Sequence, residues 1–476
     1  NGWNLTFNDV EILNEYLTHE TDRGNLGTWG AYDYGLLVFD VTDYYKVNQI
    51  NSFVINKTGN CALYPSTLFV LYNMTGSSSV KDVYFSDICD VFYPNYNRVG
   101  YDDLLKTVVN YNGINVDNLV DATWYVFAGS SSASNNLAFN EGLVENAFNG
   151  HGSNDCCPYV YNVSSLIDTD NEAWFISTTR ATTTVAYEQV LVVERIRDVV
   201  YVNYTGGSDT NGGDSWDDAV KTLSHALEII GEGTIYVADG VNYLDGATAD
   251  GLAINKDISI VGMGDNVVID ANHNGRIFSI GANTVSLSNL AFINADASSA
   301  SDKRGGALYV NGADLTIDNC KFINNTAGPS SSYGGAINLK SSSTTITNSE
   351  FDGNTAFYTG GAINAENSNV LLNISNCNFT NNGATNTGWA NGGTICSYNT
   401  VIIDRSIFYG NKLAEGKNGR TINQYGTGSL TITNSVLLDG EKGVWVASGP
   451  TTLENNWWGN NDATAATNPK DLGYTN

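Results

Sequence analysis

The sequence predicts an all-β protein: a β-sandwich region, duplicated within itself, followed by a right-handed parallel β-helix that opens with a capping helix. Three observations carry this reading. A Phe-x-x-Asn motif returns at Phe322, Phe351, Phe379 and Phe408, with weaker copies at Phe292 before it and Leu437 after it, in steps of 28 to 30 residues. A second marker keeps the same period, as Gly305-Gly-Ala-Leu, Gly334-Gly-Ala-Ile, Gly360-Gly-Ala-Ile, Gly392-Gly-Thr-Ile and Gly419-Arg-Thr-Ile. Between the markers, apolar residues alternate with polar ones, as in Leu315-Thr-Ile317, which is the period of a strand and not of a helix. Two markers sharing one period define a solenoid, with each coil stacked on the last at the strand spacing of ~4.8 Å.

Each element follows from this frame. The Phe column, Phe292 to Phe408 with Leu437, fills the interior as a stack. The residues three before each column position, Asn289, Asn319, Asn348, Asn376 and, before Leu437, Asn434 (Arg405 stands before Phe408), form a side-chain amide ladder at a bend. Residues 199–476 make up the β-helix. Its cap is expected over 215–231, where Ala219, Val220, Leu223, Ala226, Leu227 and Ile230 recur at helical spacing, Ser215 or Asp214 opens the helix and Gly231 ends it. Such a lid covers the unpaired backbone and apolar core at the end of the stack. At the other end, residues 455–461 with Trp457 and Trp458 are the closing element.

Residues 1–198 form the sandwich region, as two related units at about 1–80 and 115–198. Asn4-Leu-Thr-Phe-Asn-Asp9 answers Asn136-Leu-Ala-Phe-Asn-Glu141, and Val38-Phe-Asp-Val-Thr-Asp-Tyr44 answers Val160-Tyr-Asn-Val-Ser-Ser-Leu166. Short alternating segments between Gly, Asn and Asp clusters give the strands.

Composition excludes several classes of function. The net charge is −28, shared almost evenly between the two regions, with no basic stripe. Such a surface repels nucleic acid and anionic membrane. No apolar run approaches the ~20 residues that span a bilayer. Sequons at Asn4, Asn56, Asn73, Asn162, Asn203, Asn324, Asn373 and Asn378 are glycosylation candidates in an extracellular setting. In that setting Cys61, Cys89, Cys156 and Cys157 are disulfide candidates, with Cys156 and Cys157 each reaching back to one of the other two. Cys320 and Cys377 share a column two coils apart, ~10 Å at strand spacing and beyond disulfide reach, and read with Cys396 as buried fillers.

Chemistry-bearing constellations are sparse. His19, His151, His225 and His273 have no metal or triad spacing. Asp209-x-Asn211-x-x-Asp214 reads as a tight turn, with a Ca²⁺ loop as the alternative; no other cofactor is implied. Within the repeats, Asp318 and Asp404 share a column three coils apart, ~14 Å and too far for paired glycosidase carboxylates. Convergent acids with a basic residue in one groove of the β-helix would mark a polysaccharide lyase or hydrolase. Aromatic clusters that include Trp29, Tyr93 and Tyr96, together with Trp457 and Trp458, are candidates for stacking on sugar rings, with core packing as the alternative.

Gly206-Gly-Ser-Asp-Thr-Asn-Gly-Gly, Gly233-Thr-Ile-Tyr-Val-Ala-Asp-Gly240 and Asn456-Trp-Trp-Gly459, with the two repeat markers, resemble the adhesin-like surface proteins of methanogenic archaea, whose repeats are shared with chlamydial polymorphic outer-membrane proteins. The amino-terminal half looks like a domain of unknown function that accompanies such solenoids, through Phe39-Asp-Val-Thr-Asp43 and Phe69-Val-Leu-Tyr72. The resemblance implies a secreted, cell-surface glycoprotein serving in attachment. Its partners would be surface glycans or proteins of other cells, or further copies of itself in a filament or surface layer.

Overall fold

The computed structural model describes residues 3–12, 16–19, 35–47, 49–57, 68–71, 77–92, 106–129, 135–149, 156–177, 184–281, 283–366, 371–386, 393–412, 421–438 and 443–458. Two compact units emerge, Asn1–Tyr72 with Val80–Ile196, and Asn73–Ser79 with Arg197–Asn476.

In the first unit, two four-stranded antiparallel sheets enclose a core. One runs in the order Gly142–Val144, Asn135–Phe139, Asp170–Ser177, Lys106–Asn112. The other runs Cys156–Asn162, Leu119–Gly129, Thr184–Ile196, Ser79–Phe92. Alternation selects what is inside: Ala122, Trp124, Val126 and Ala128 face the core from Leu119–Gly129 and meet Phe139, Phe148 and Phe175, all fully buried. A separate three-stranded sheet joins Val10–Ile12, Trp3–Phe7 and Phe53–Lys57 over a small core of Leu5, Phe7 and Ile12.

Internal repetition in this unit reaches individual hydrogen bonds. Hairpins Trp3–Phe7/Val10–Ile12 and Asn135–Phe139/Gly142–Val144 both turn on an asparagine in the left-handed region, Asn8 and Asn140, each at φ 48°. Asn8 Nδ2 donates to Tyr44 O and to Asn51 Oδ1, both at 2.8 Å; Asn140 Nδ2 donates to Leu166 O and to Asn171 Oδ1, both at 2.8 Å. Tyr44 and Leu166 are the paired ends of the matched sequence segments.

The second unit is a parallel β-solenoid. Its strands pair one coil to the next in constant register, so that Phe292, Phe322, Phe351, Phe379 and Phe408 lie directly in line and Leu437 follows. The five rings are fully buried, with centroids 5.0, 4.8, 4.7 and 4.7 Å apart, and within 8° of parallel from Phe322 onward.

The Gly-Gly marker has a steric cause at each position. Gly305, Gly334 and Gly360 adopt φ between 61° and 70°, where a side chain is strained. A Cβ on Gly306 or Gly335 would lie 2.1 or 2.0 Å from the carbonyl oxygen of Gly335 or Gly361 on the next coil. The coils approach too closely there for any other residue.

Two asparagine ladders run along the stack. The expected one, three residues before each Phe, is exposed and left-handed at every coil. Asn319 Nδ2 donates to Asn289 Oδ1 at 2.9 Å and Asn376 Nδ2 to Asn348 Oδ1 at 3.3 Å, whereas Asn348 and Asn434 turn to the carboxylates of Asp318 and Asp404. The deeper ladder belongs to the motif's last residue. Asn354, fully buried, donates from Nδ2 to Phe322 O at 2.8 Å and to Asn382 Oδ1 at 2.9 Å, and its own Oδ1 accepts from Asn325 N and Nδ2. Asn325, Asn382 and Asn411 continue the pattern. Every amide is thereby satisfied in a dry interior.

Within the stretch expected to form the capping helix, the structure has one short helix that begins later, and a capping role for it is not established. It spans Leu223–Ile229, capped by Thr222, whose side chain accepts from His225 N, and Leu223, Ala226 and Ile229 join the solenoid core. Val220 is withheld from it because its backbone pairs with Tyr201 and Asn203 as an extra strand position. Ser215 instead accepts from Asp218 N in a separate turn, and Asp214 pairs with Arg197. In the last described coil, Asn456 accepts from Ser435 N at 2.9 Å and donates to Ile432 O at 2.7 Å. Trp458 packs on the core, while Trp457 stays 44% exposed.

Candidate functional site

Chemistry-bearing side chains gather on one face of the solenoid, the outer side of its eight-stranded sheet. Leu308–Asn311, Ile337–Lys340, Ile363–Glu366, Ile395–Ser397, Ile422–Gln424 and Val444–Val446 lie side by side there. In each, the residues flanking the central position face the core, so one register column points outward: Tyr309, Asn338, Asn364, Cys396, Asn423 and Trp445.

The four middle members are nonetheless buried, and they bond to one another and to the turns. Asn364 Nδ2 donates to Asn338 Oδ1 at 2.8 Å, Thr359 Oγ1 donates to Asn364 Oδ1 at 2.8 Å, and Asn423 Nδ2 donates to the Tyr425 hydroxyl at 3.3 Å. Tyr333 and Tyr358, 5.5 Å apart, come from the turns that precede the strands. Tyr398 and Tyr425 follow the strands, 5.5 Å apart and stacked, and Tyr425 meets Trp445 at 4.7 Å. Tyr398 keeps 45% of its surface exposed.

Two guanidiniums lie over the Tyr309 ring on this face, Arg276 at 5.3 Å and Arg304 at 5.5 Å, and Arg304 carries the ion pairs to Asp302 and Glu366. Arg304 Nε donates to Asp302 Oδ1 at 2.7 Å while Nη1 donates to Glu366 Oε2 at 2.7 Å, two coils away, and the group lies 5.5 Å from the centre of the Tyr309 ring. Its hydrogen bond to Asp302 holds Arg304 firmly protonated. Burial works to raise the Asp302 carboxyl, but the hydrogen bonds and charge of Arg304 outweigh it and keep that group below its usual range. Burial lifts the phenols of Tyr309, Tyr333 and Tyr398, and Glu366 adds to the shift in each. Asp302, Arg304 and Glu366 are therefore the convergent acids and base that the repeats alone did not reveal.

Elsewhere, two open hollows of about 310 and 330 Å³ lie by Tyr204, Asp245 and Asp270 and by Asn324, Asp352 and Lys412. Acids inside the repeats serve the stack. Asp352 accepts from Thr380 and Asn381, and Asp404 from Thr433 and Asn434. No group of three or more His, Cys, Asp or Glu able to hold a metal occurs among the described residues. In the loop weighed for Ca²⁺, Asp209 accepts from Lys221 N and from Thr222 N and Oγ1, Asn211 donates to Ala219 O, and Asp214 faces Arg197. These bonds tie the three residues into the turn.

Of the sequons, Asn56, Asn162, Asn324 and Asn378 are exposed, and Asn203 and Asn373 are half-buried. Asn4 sits in the strand Trp3–Phe7, and Asn73 lies outside the described residues. Trp29, Tyr93, Tyr96 and Cys61 also lie outside them. Cys89, Cys156 and Cys157 sit in strands whose side chains at these positions are likewise not described. Cys320, Cys377 and Cys396 are free, buried thiols. The Arg304 face escaped the sequence reading because its aromatics hold different places relative to the Gly-Gly marker. Tyr333 stands one residue before it and Tyr358 two, while Tyr398 and Tyr425 follow the strands; aligning the coils on that marker would have exposed the Tyr398–Tyr425 pair.

Residues 1–194 match a family described as a protein of unknown function (DUF3344). No curated protein matches the chain. Among solved structures, the Agl-KA catalytic domain aligns at 12% identity over 82% of this chain and 89% of its own, with a TM-score of 0.21. The catalytic domain of a GH87 alpha-1,3-glucanase in complex with nigerose aligns at 10% identity over 80% and 99%, with a TM-score of 0.19. Superposition this slight bears on neither fold nor chemistry.

Proposed function

We propose that this protein is a non-catalytic, extracellular attachment or display protein of the adhesin-like kind, in which the parallel solenoid presents a recognition face. The observation that carries this reading is the double engagement of Arg304. A glycoside hydrolase needs one carboxyl held protonated and a second free to attack or to activate water. Here Asp302 and Glu366 are both bound to the same cation, and Asp302 is held ionised. What the face retains at its surface is aromatic, with Tyr398 the most open of its rings. Among the described residues no helix is long and apolar enough to cross a membrane.

A cell- or surface-binding assay with the purified chain tests the reading, and absence of any saturable binding to whole cells or cell-wall preparations counts against it. One observation favours a second reading, a polysaccharide-active enzyme: acids and a base do meet on one face. Incubation with a panel of polysaccharides decides between the two, because release of reducing ends or of unsaturated uronate products overturns the non-catalytic reading.

A further inference from the structure

We infer that the last three described coils of the solenoid carry a self-association face, on which a second copy of this chain packs face to face with its axis reversed. Two register columns flank the buried Phe column and point outward. In one, Asn378 is followed coil by coil by Ile407, Val436 and Trp457; in the other, Thr380 is followed by Tyr409 and then Leu438. The coil before them carries Glu350 and Asp352 at the same places. Polar rungs thus give way to apolar ones, while the core beneath, Phe351, Phe379, Phe408 and Leu437, stays apolar and buried throughout. The core does not require the change, since Ile407, Tyr409, Leu438 and Trp457 remain 43, 59, 39 and 44% exposed.

The size of this patch fits a dimer. At those exposures the four side chains leave roughly 400 Å² of mainly apolar surface open in one contiguous area. A stable interface covers ~800 Å² on each copy, a little over half of it apolar, which is ~450 Å². Trp457 and Tyr409 are of the types that anchor protein contacts. The sheet beneath runs in unbroken register, so a second sheet can lie on it at the ~10 Å of face-to-face packing. Reversing the second copy end for end about a two-fold axis lays Trp457 of one over Ile407 of the other and sets Val436 opposite Val436. The same reversal brings opposite charges together. Arg405, with 60% of its side chain open, stands two residues ahead of Ile407, and the exposed Glu454 stands three ahead of Trp457, so each Arg405 meets the Glu454 end of the other copy.

The test is sedimentation velocity and light scattering of the full chain over a range of concentrations, in high salt that screens the −28 charge on each copy. The intact chain is expected to become dimeric at the upper concentrations. Tyr409→Thr combined with Leu438→Asp installs the residue types that Thr380 and Asp352 already hold in that column, and is expected to weaken pairing ten-fold or more with the melting temperature unchanged. Val436→Cys reads the geometry: mild oxidation should link two copies through it, whereas Met263→Cys, at a site 49% exposed on a distant coil, should not link them. A chain that stays monomeric throughout, or a folded Tyr409→Thr, Leu438→Asp variant that pairs as tightly as the parent, overturns the proposal. Attachment is judged separately, by the cell-binding assay. A monomeric chain that binds cells removes this face and leaves attachment standing, and a dimer that binds no cells does the reverse.

Discussion

Asn8 and Asn140 occupy one position in two copies of a turn, each left-handed at φ 48° and each tying its hairpin to a second asparagine, Asn51 or Asn171. The second pair repeats as well. Lys46 N and Asp168 N donate to Asn51 Oδ1 and Asn171 Oδ1, and each amide returns a bond to the same residue's carbonyl. Asn171 is 2% exposed and Asn51 half-buried. Removing the amide at 171 empties a site that is itself closed to solvent and takes away its bond to the carbonyl of the buried Tyr111, whereas the site at 51 is more open to water. Asn171→Ala is expected to cost about 2–3 kcal/mol and Asn51→Ala about 1 kcal/mol, read from urea unfolding of the chain. Equal losses would show that the two turns do not differ in their protection from water.

The buried ladder predicts an ordering of two substitutions at one site. Asn354→Ala leaves Phe322 O without its donor and Asn325 N and Nδ2 without their acceptor, for a loss of about 3 kcal/mol or more. Asn354→Asp keeps the shape but points a carboxylate oxygen at Phe322 O and Asn382 Oδ1, in a place that water does not enter. The aspartate variant should therefore be the less stable at neutral pH and should recover part of the difference as its carboxyl protonates in acid. Thermal melts at pH 7 and pH 4 measure this.

Glycines in this chain differ in what a methyl group would meet. At Gly312, φ is 83° and nothing lies within 4 Å of a new Cβ, so Gly312→Ala meets only the left-handed strain, about 1 kcal/mol. At Gly335 the Cβ would sit 2.0 Å from Gly361 O, and Gly335→Ala must push two coils apart. A drop of melting temperature several-fold larger for Gly335→Ala is expected, and similar melting points would refute the close approach.

Three thiols carry a pH dependence. Burial raises Cys320 and Cys396 to about 12 and Cys377 to about 11, from an ordinary value of 9.0. A raised folded value means that the unfolded chain loses its thiol protons first as pH climbs. Their stabilising contribution is complete below about pH 9 and is lost as pH rises from there toward 11–12. Unfolding midpoints should fall across that window, and more steeply than in a Cys320→Ser, Cys377→Ser, Cys396→Ser variant. At pH 8 the native chain should leave these three unalkylated by iodoacetamide, with labelling appearing on denaturation.

The solenoid was legible because its signal is a period, and a period survives without knowledge of neighbours. The Phe column needed only the spacing of Phe292 to Phe408. Which asparagines lie inside was harder to read, since strict alternation puts a residue three past Phe on the outer face. Left-handed bends two past Phe, at Asn294, Asn324, Gly353, Asn381 and Gly410, break the alternation and turn Asn325, Asn354, Asn382 and Asn411 inward. Asn and Gly at those positions were visible as types, but not their effect. The helix start was misread for a similar reason: Val220 fits a helical stripe, yet backbone pairing to Tyr201 and Asn203 claims it for a strand. The Arg304 face required three dimensions, because Arg304 and Glu366 are 62 positions apart and share no motif.

Since the Phe351 and Phe379 rings and the Asn354 and Asn382 amides each meet an identical side chain above and below, a middle rung is interchangeable with the next. Splicing one whole period of about 29 residues in or out preserves every junction, while an odd-sized insertion inside a period breaks all the columns at once. The reach of such a molecule is thus an adjustable quantity, set by copy number and independent of the chemistry displayed on any single rung.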